Sequence, residues 1–125
     1  DSGCICGALS GAVMACGLLL GGDNAYRRRR EMRACARQLH DTFKGAHGST
    51  CCRILSRKVK DDKQAHFDQC AGLTANATEV AARLILDRRP ALAALADNDF
   101  LGQRDSKAAG LIKRVWRLVS SGQRQ

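Results

Sequence analysis

The apolar positions of the chain fall into separate runs of different character. The first, from Cys4 to Gly22, has no charged residue and three of the seven cysteines. Its small residues recur four apart: Gly7 with Gly11, Ala8 with Ala12, Ala12 with Cys16. On a helix such pairs form a smooth strip that a second backbone can approach closely. This pattern predicts a central buried helix over about Cys6 to Leu20. Asp23 then reads as an N-cap for a helix from about Asn24 to Lys44. Its apolar face is Met32, Cys35, Ala36, Leu39 and Phe43, while Arg27 to Arg30, Arg33 and Arg37 lie mostly off that face. Gly45 and Gly48 supply stop signals.

The later runs are shorter. Ser49 or Thr50 can cap a helix from Cys51 to about Lys60, and Lys58 to Lys63 reads as a turn or frayed end. His66, Phe67 and Cys70 open a further helical segment. Asn76 followed by Glu79 reads as a capping box before Val80, Ala81, Leu84 and Ile85. Pro90 is placed to begin a short helix, Ala91 to Ala96. A polar connection, Asp97 to Lys107, leads to a C-terminal helix over about Ala108 to Ser120. One broad face of it carries Leu111, Ile112, Val115, Trp116, Leu118 and Val119, with Lys113, Arg114 and Arg117 opposite. That helix can cover the core or dock on a partner or an acidic membrane surface; covering the core is the preferred reading. The expectation is one all-α domain over residues 1–125, a compact bundle of about five helices around the Gly/Ala-rich helix. The glycine–alanine strip can also serve a homodimer contact.

Composition agrees with helices. Of the 125 residues 45% are hydrophobic but only 4% aromatic, and there is one proline, so Leu, Ala, Val, Ile and Cys must build the core. The net charge of +9 attracts anions of any kind without choosing among them. Basic residues spread over several helices and few aromatics are available for stacking, so no nucleic acid is expected as a partner. The uncharged first run is about the minimum for a membrane span, but its glycines and cysteines make a poor one, and no span is expected. Asn76-Ala77-Thr78 matches a glycosylation sequon, which matters only in a secretory context.

Seven cysteines are many, and an odd number argues against a fully paired disulfide framework. No CxxC is present, which weakens zinc-ribbon and thioredoxin readings. Clustered, unpaired thiols fit a reducing compartment, so a cytoplasmic location is expected. Cys51 and Cys52 fall at a predicted helix start, where orphan N–H groups, the helix dipole and Arg53 favour a thiolate. Adjacent residues point about 100° apart on a helix, so one of this pair can face the core and the other a site. His66 and Cys70 share a helix face at a spacing that suits two ligands of one metal, and equally a plain buried face with Phe67. Cys35 sits inside an apolar stripe and reads as a small core residue.

Cys6-Gly7-Ala8-Leu9-Ser10-Gly11-Ala12 resembles the hallmark of the C-GCAxxG-C-C family of redox-active proteins, small helical cysteine-rich proteins mostly of anaerobic bacteria. Phe43 and then Gly48-Ser49-Thr50-Cys51-Cys52-Arg53 resemble its second cysteine site, and Cys70 with His66 its third. The resemblance covers roughly residues 3 to 86. It implies redox activity at Cys6, Cys52 and Cys70. The family usually has an earlier helix with its own cysteine, which this chain is expected to lack; Cys4, Cys16, Cys35 and Cys51 are extra.

Three readings follow. In the first, Cys6, Cys52 and Cys70 hold an iron–sulfur cluster or another metal ion for electron transfer or redox sensing, with Cys4 or Cys51 as fourth ligand and His66 as a secondary candidate. In the second, the same cysteines perform metal-free thiol–disulfide chemistry with a redox partner protein. In the third, the chain is a basic helical interaction module whose cysteines are structural. No Gly-rich phosphate loop, GxSxG or HExxH is present, so any enzyme activity would be of the oxidoreductase type.

Overall fold

A computed structural model describes residues 5–102. The described part is all-α: five α-helices, two 3-10 turns and, among these residues, no strand. Helix α1 spans Gly7–Gly21, α2 Arg29–His47, α3 Cys52–Leu55, α4 Lys63–Arg88 and α5 Asn98–Gly102. The 3-10 turns are Gly22–Asn24 and Pro90–Leu95. The C-terminal helix expected over 108–120 lies outside the described residues, as does Cys4.

The chain divides into a unit ending at Ala94 and a second beginning at Leu95. In the first, α1, α2 and α4 each pack on the other two. The core is Leu9, Ala12, Cys16 and Leu20 of α1; Cys35, Leu39 and Phe43 of α2; and Leu73, Ala77, Ala81, Leu84 and Ile85 of α4. No polar or charged residue is buried among the described residues, so burial of apolar area is what drives these three helices together. In the second unit, Asp97 Oδ1 accepts from the N–H of Phe100 at 2.9 Å and holds the first turn of α5. No helix of the described residues is long and apolar enough to cross a membrane.

Helix α1 contacts both other long helices, yet it is buried on one side only. Leu9, Ala12, Cys16 and Leu20 face the core, while Met14 and Leu18 are 67% and 76% exposed. The expected close approach at Gly7 and Gly11 is not made: a Cβ at either would have nothing within 4 Å. The glycine that permits close packing is Gly21, where a Cβ would stand 3.0 Å from Met32 Sδ.

Other boundaries differ from the sequence expectation for identifiable reasons. Asp23 lies in the 3-10 turn, and α2 starts only at Arg29. Its end is Gly48 rather than Gly45: Gly48 takes φ 74°, and its N–H donates to the Lys44 carbonyl at 2.8 Å. Helix α3 is a single turn, capped by Cys51, with Ser49 Oγ accepting from the Cys51 N–H at 3.1 Å. The segments expected to begin near His66 and after Asn76 are one helix, α4, running through Gly72. Asp62 starts it, its Oδ1 accepting from the N–H groups of Gln64 and Ala65 at 3.0 Å each. Asn76 is no cap. Its Oδ1 pairs with His47 Nε2 at 2.9 Å, and Glu79 pairs with Arg83 at 2.7 Å. A contact between helices and an i,i+4 ion pair take the side chains that a capping box would have used.

Candidate functional site

Cys6 is the N-cap of α1 and is buried. Its N–H donates to the Thr50 carbonyl at 2.8 Å, and its own carbonyl accepts from the N–H of Ser10 at 3.0 Å and the Ser10 hydroxyl at 3.2 Å. The first of these bonds ties the start of α1 to the strand-like residues before α3. Because Thr50 lies just ahead of Cys52, that tie holds Cys6 and Cys52 in one neighbourhood. Cys52 opens α3, and its carbonyl accepts from the Ser56 hydroxyl at 2.9 Å. Cys70 lies two turns into α4, its Sγ 3.7 Å from His66 Nε2.

These three thiols line one cavity of about 200 Å³, together with Ala8, Leu55, Ser56 and Leu73. Its walls are largely apolar. Cys52 and Cys70 are half-buried; Cys6 is more deeply enclosed, at 5% exposure. Cys51 is half-buried and does not line the cavity. His66 reaches Cys70 but is not among the lining residues. Helix α3 is too short to develop the dipole that the sequence assigned to it, so its effect on the thiols reduces to local N–H groups. Among the described residues, no three His, Cys, Asp or Glu side chains gather closely enough to hold a metal ion.

A second pair of thiols escaped the sequence reading. Cys16 of α1 and Cys35 of α2, 1% and 0% exposed, neighbour each other in the core. Burial pushes the Cys16 thiol up to about 12; the neighbouring Cys35 acts in the same direction, and Arg88 opposes them. Cys35 is a core residue, as its place in the apolar stripe of α2 predicts. No spacing in the sequence connects it to Cys16, since the contact depends on how two helices cross.

The fold and these thiols define a class first: small helical proteins that converge cysteines from separate elements on an apolar cavity. The chain belongs to the family described as "Putative redox-active protein (C_GCAxxG_C_C)", whose model matches residues 1–84. No curated protein and no solved structure matches the chain. The family's letters spell Gly-Cys-Ala-x-x-Gly, whereas residues 6–11 read Cys6-Gly7-Ala8-Leu9-Ser10-Gly11, with the first two exchanged. The exchange puts the thiol at the buried N-cap position and a glycine at the exposed first helical position.

Proposed function

We propose that the protein exchanges thiols and disulfides through Cys6, Cys52 and Cys70. The observation that carries this reading is that thiols from three separate elements line one apolar cavity of about 200 Å³. Membership of a family described as redox-active supports it. Cys70 is the natural attacking thiol: it is half-exposed, and His66 Nε2 at 3.7 Å can take its proton. Its sulfur attacks one sulfur of a partner's disulfide, and the other partner sulfur leaves and is protonated. Cys52, the second half-exposed thiol, then loses its proton and attacks Cys70 Sγ in the mixed disulfide, releasing the partner's remaining thiol. Two protein thiols are oxidised to a disulfide while one partner disulfide is reduced to two thiols. Cys6, enclosed behind them, is reached only from within the cavity and can exchange with that internal disulfide.

Mild oxidation of the reduced protein, followed by thiol counting and peptide mass mapping, tests this. Two thiols should be lost reversibly, within the set Cys6, Cys52 and Cys70. An unchanged count, or a disulfide that avoids all three, overturns it.

A metal centre is a second reading, favoured by the donor type, since thiolates suit iron–sulfur clusters, zinc and copper(I). The donors do not fit it as they stand, because no three of them gather around one point among the described residues. Anaerobic purification with iron and zinc analysis decides: stoichiometric metal lost in Cys52→Ser and Cys70→Ser would replace thiol exchange by metal binding.

A further inference from the structure

Beside the thiol cavity lies a second cleft of about 300 Å³, and Leu55 and Leu73 form walls of both. The second cleft is more polar than the first. Its lining includes His47, Ser49, Arg57, Lys58 and Gln69. Arg57 and Lys58 are exposed, and neither is in an ion pair among the described residues. Gln69 is fixed: its Nε2 donates to the Leu55 carbonyl at 2.8 Å. That bond leaves Gln69 Oε1 as the acceptor, and this atom is buried without a hydrogen-bond partner. That atom has almost no exposed area, so polar contacts to a ligand in the cleft fall to the exposed Arg57 and Lys58.

We propose that this cleft binds a low-molecular-weight disulfide bearing carboxylates, and that it delivers such a substrate to the thiols next door. Carboxylates pair with Arg57 and Lys58, and the sulfurs extend over the shared Leu55–Leu73 wall. This assignment rests on the thiol-exchange reading above. The reaction is balanced: the protein dithiol and one small disulfide give the protein disulfide and two small thiols, with protons passing from the protein sulfurs to the leaving ones.

The test compares glutathione disulfide, which has carboxylates and amides, with the neutral 2-hydroxyethyl disulfide as oxidants of the reduced full chain. The measured quantity is the ratio of the two rates, in the wild type, in Arg57→Gln/Lys58→Gln and in Arg33→Gln/Arg37→Gln. The last variant removes the same charge from the outer face of α2 and controls for net charge. The ratio should fall about tenfold in the first variant, as expected for losing charge-assisted hydrogen bonds in a half-open cleft, and hold in the second. An unchanged ratio in both, or an equal fall in both, overturns the proposal. If neither disulfide oxidises the wild type, it is thiol exchange that fails. Binding is therefore measured separately, by NMR titration of Cys70→Ser with glutathione disulfide. Shifts at His47, Ser49 and Gln69 that vanish with Arg57→Gln/Lys58→Gln support the cleft; no shifts overturn it.

Discussion

Alkaline pH should destabilise this fold through one residue. Cys16 is 1% exposed, and its thiol is pushed from 9.0 to about 12, mainly by burial. The native state therefore holds this proton across a window in which the unfolded chain has already released it. In that window the native state binds more protons, so stability falls as pH rises. Each pH unit between the two values costs about 1.4 kcal/mol, and the whole window roughly 4 kcal/mol. Against a stability of about 5–15 kcal/mol for a typical domain, this is a large fraction. Urea unfolding from pH 7 to pH 11, in a non-thiol reductant, gives the slope directly. Other groups titrate in this range as well, so the comparison is with Cys16→Ala. That variant starts lower by about 1 kcal/mol for its small cavity, but loses less on going alkaline. The wild type should lose about 2 kcal/mol relative to the variant between pH 8 and pH 10.5, so the two curves should cross and the variant end the more stable. Parallel curves would refute the argument. The same protonation keeps Cys16 out of thiol exchange at neutral pH, since only the thiolate attacks.

Two further substitutions probe what positions the site. Gly48→Ala forces a Cβ into φ 74° where space is open, so the cost is backbone strain alone, about 1–2 kcal/mol by denaturant titration, and Gly48→Asn should cost less. Asp62→Ala removes the oxygen that accepts from Gln64 and Ala65, which should cost about 1 kcal/mol and lower the melting temperature by roughly 3–5 °C in a calorimetric scan.

Helix α1, most of α2 and the two halves of α4 were legible because helix-period apolar positions are a local signal, whereas the caps expected at Asp23 and Asn76 are not used. Met32, Cys35, Leu39 and Phe43 announce the inner face of α2 without help from the rest of the chain. The failures share one cause. Asn76 carries a cap signal, but His47 claims its side chain from another helix, and α4 runs on. Gly7 and Gly11 look like a packing strip, but which side of α1 turns inward is decided by Leu9, Leu20 and the helices that meet them. The site was legible only in part for the same reason. The order of Cys6, Cys52 and Cys70 resembles a family pattern, while their common cavity depends on one backbone bond between Cys6 and Thr50. Nor could spacing reveal the cleft beside it, since His47, Arg57 and Gln69 come from three different segments.

Gly72 stands in the middle of α4, just past Cys70 and just before Leu73, with nothing within 4 Å of where its Cβ would be. A glycine inside a helix weakens it by about 1 kcal/mol relative to alanine. The amides around Cys70 should therefore open to solvent more often than those near Ala77 and Ala81, which are buried in the core. A stretch that opens locally can tolerate small changes of sulfur position without disturbing the far end of the helix. The turn of α4 that Gly72 weakens thus lies beside Cys70, away from the turns that Ala77 and Ala81 bury in the core.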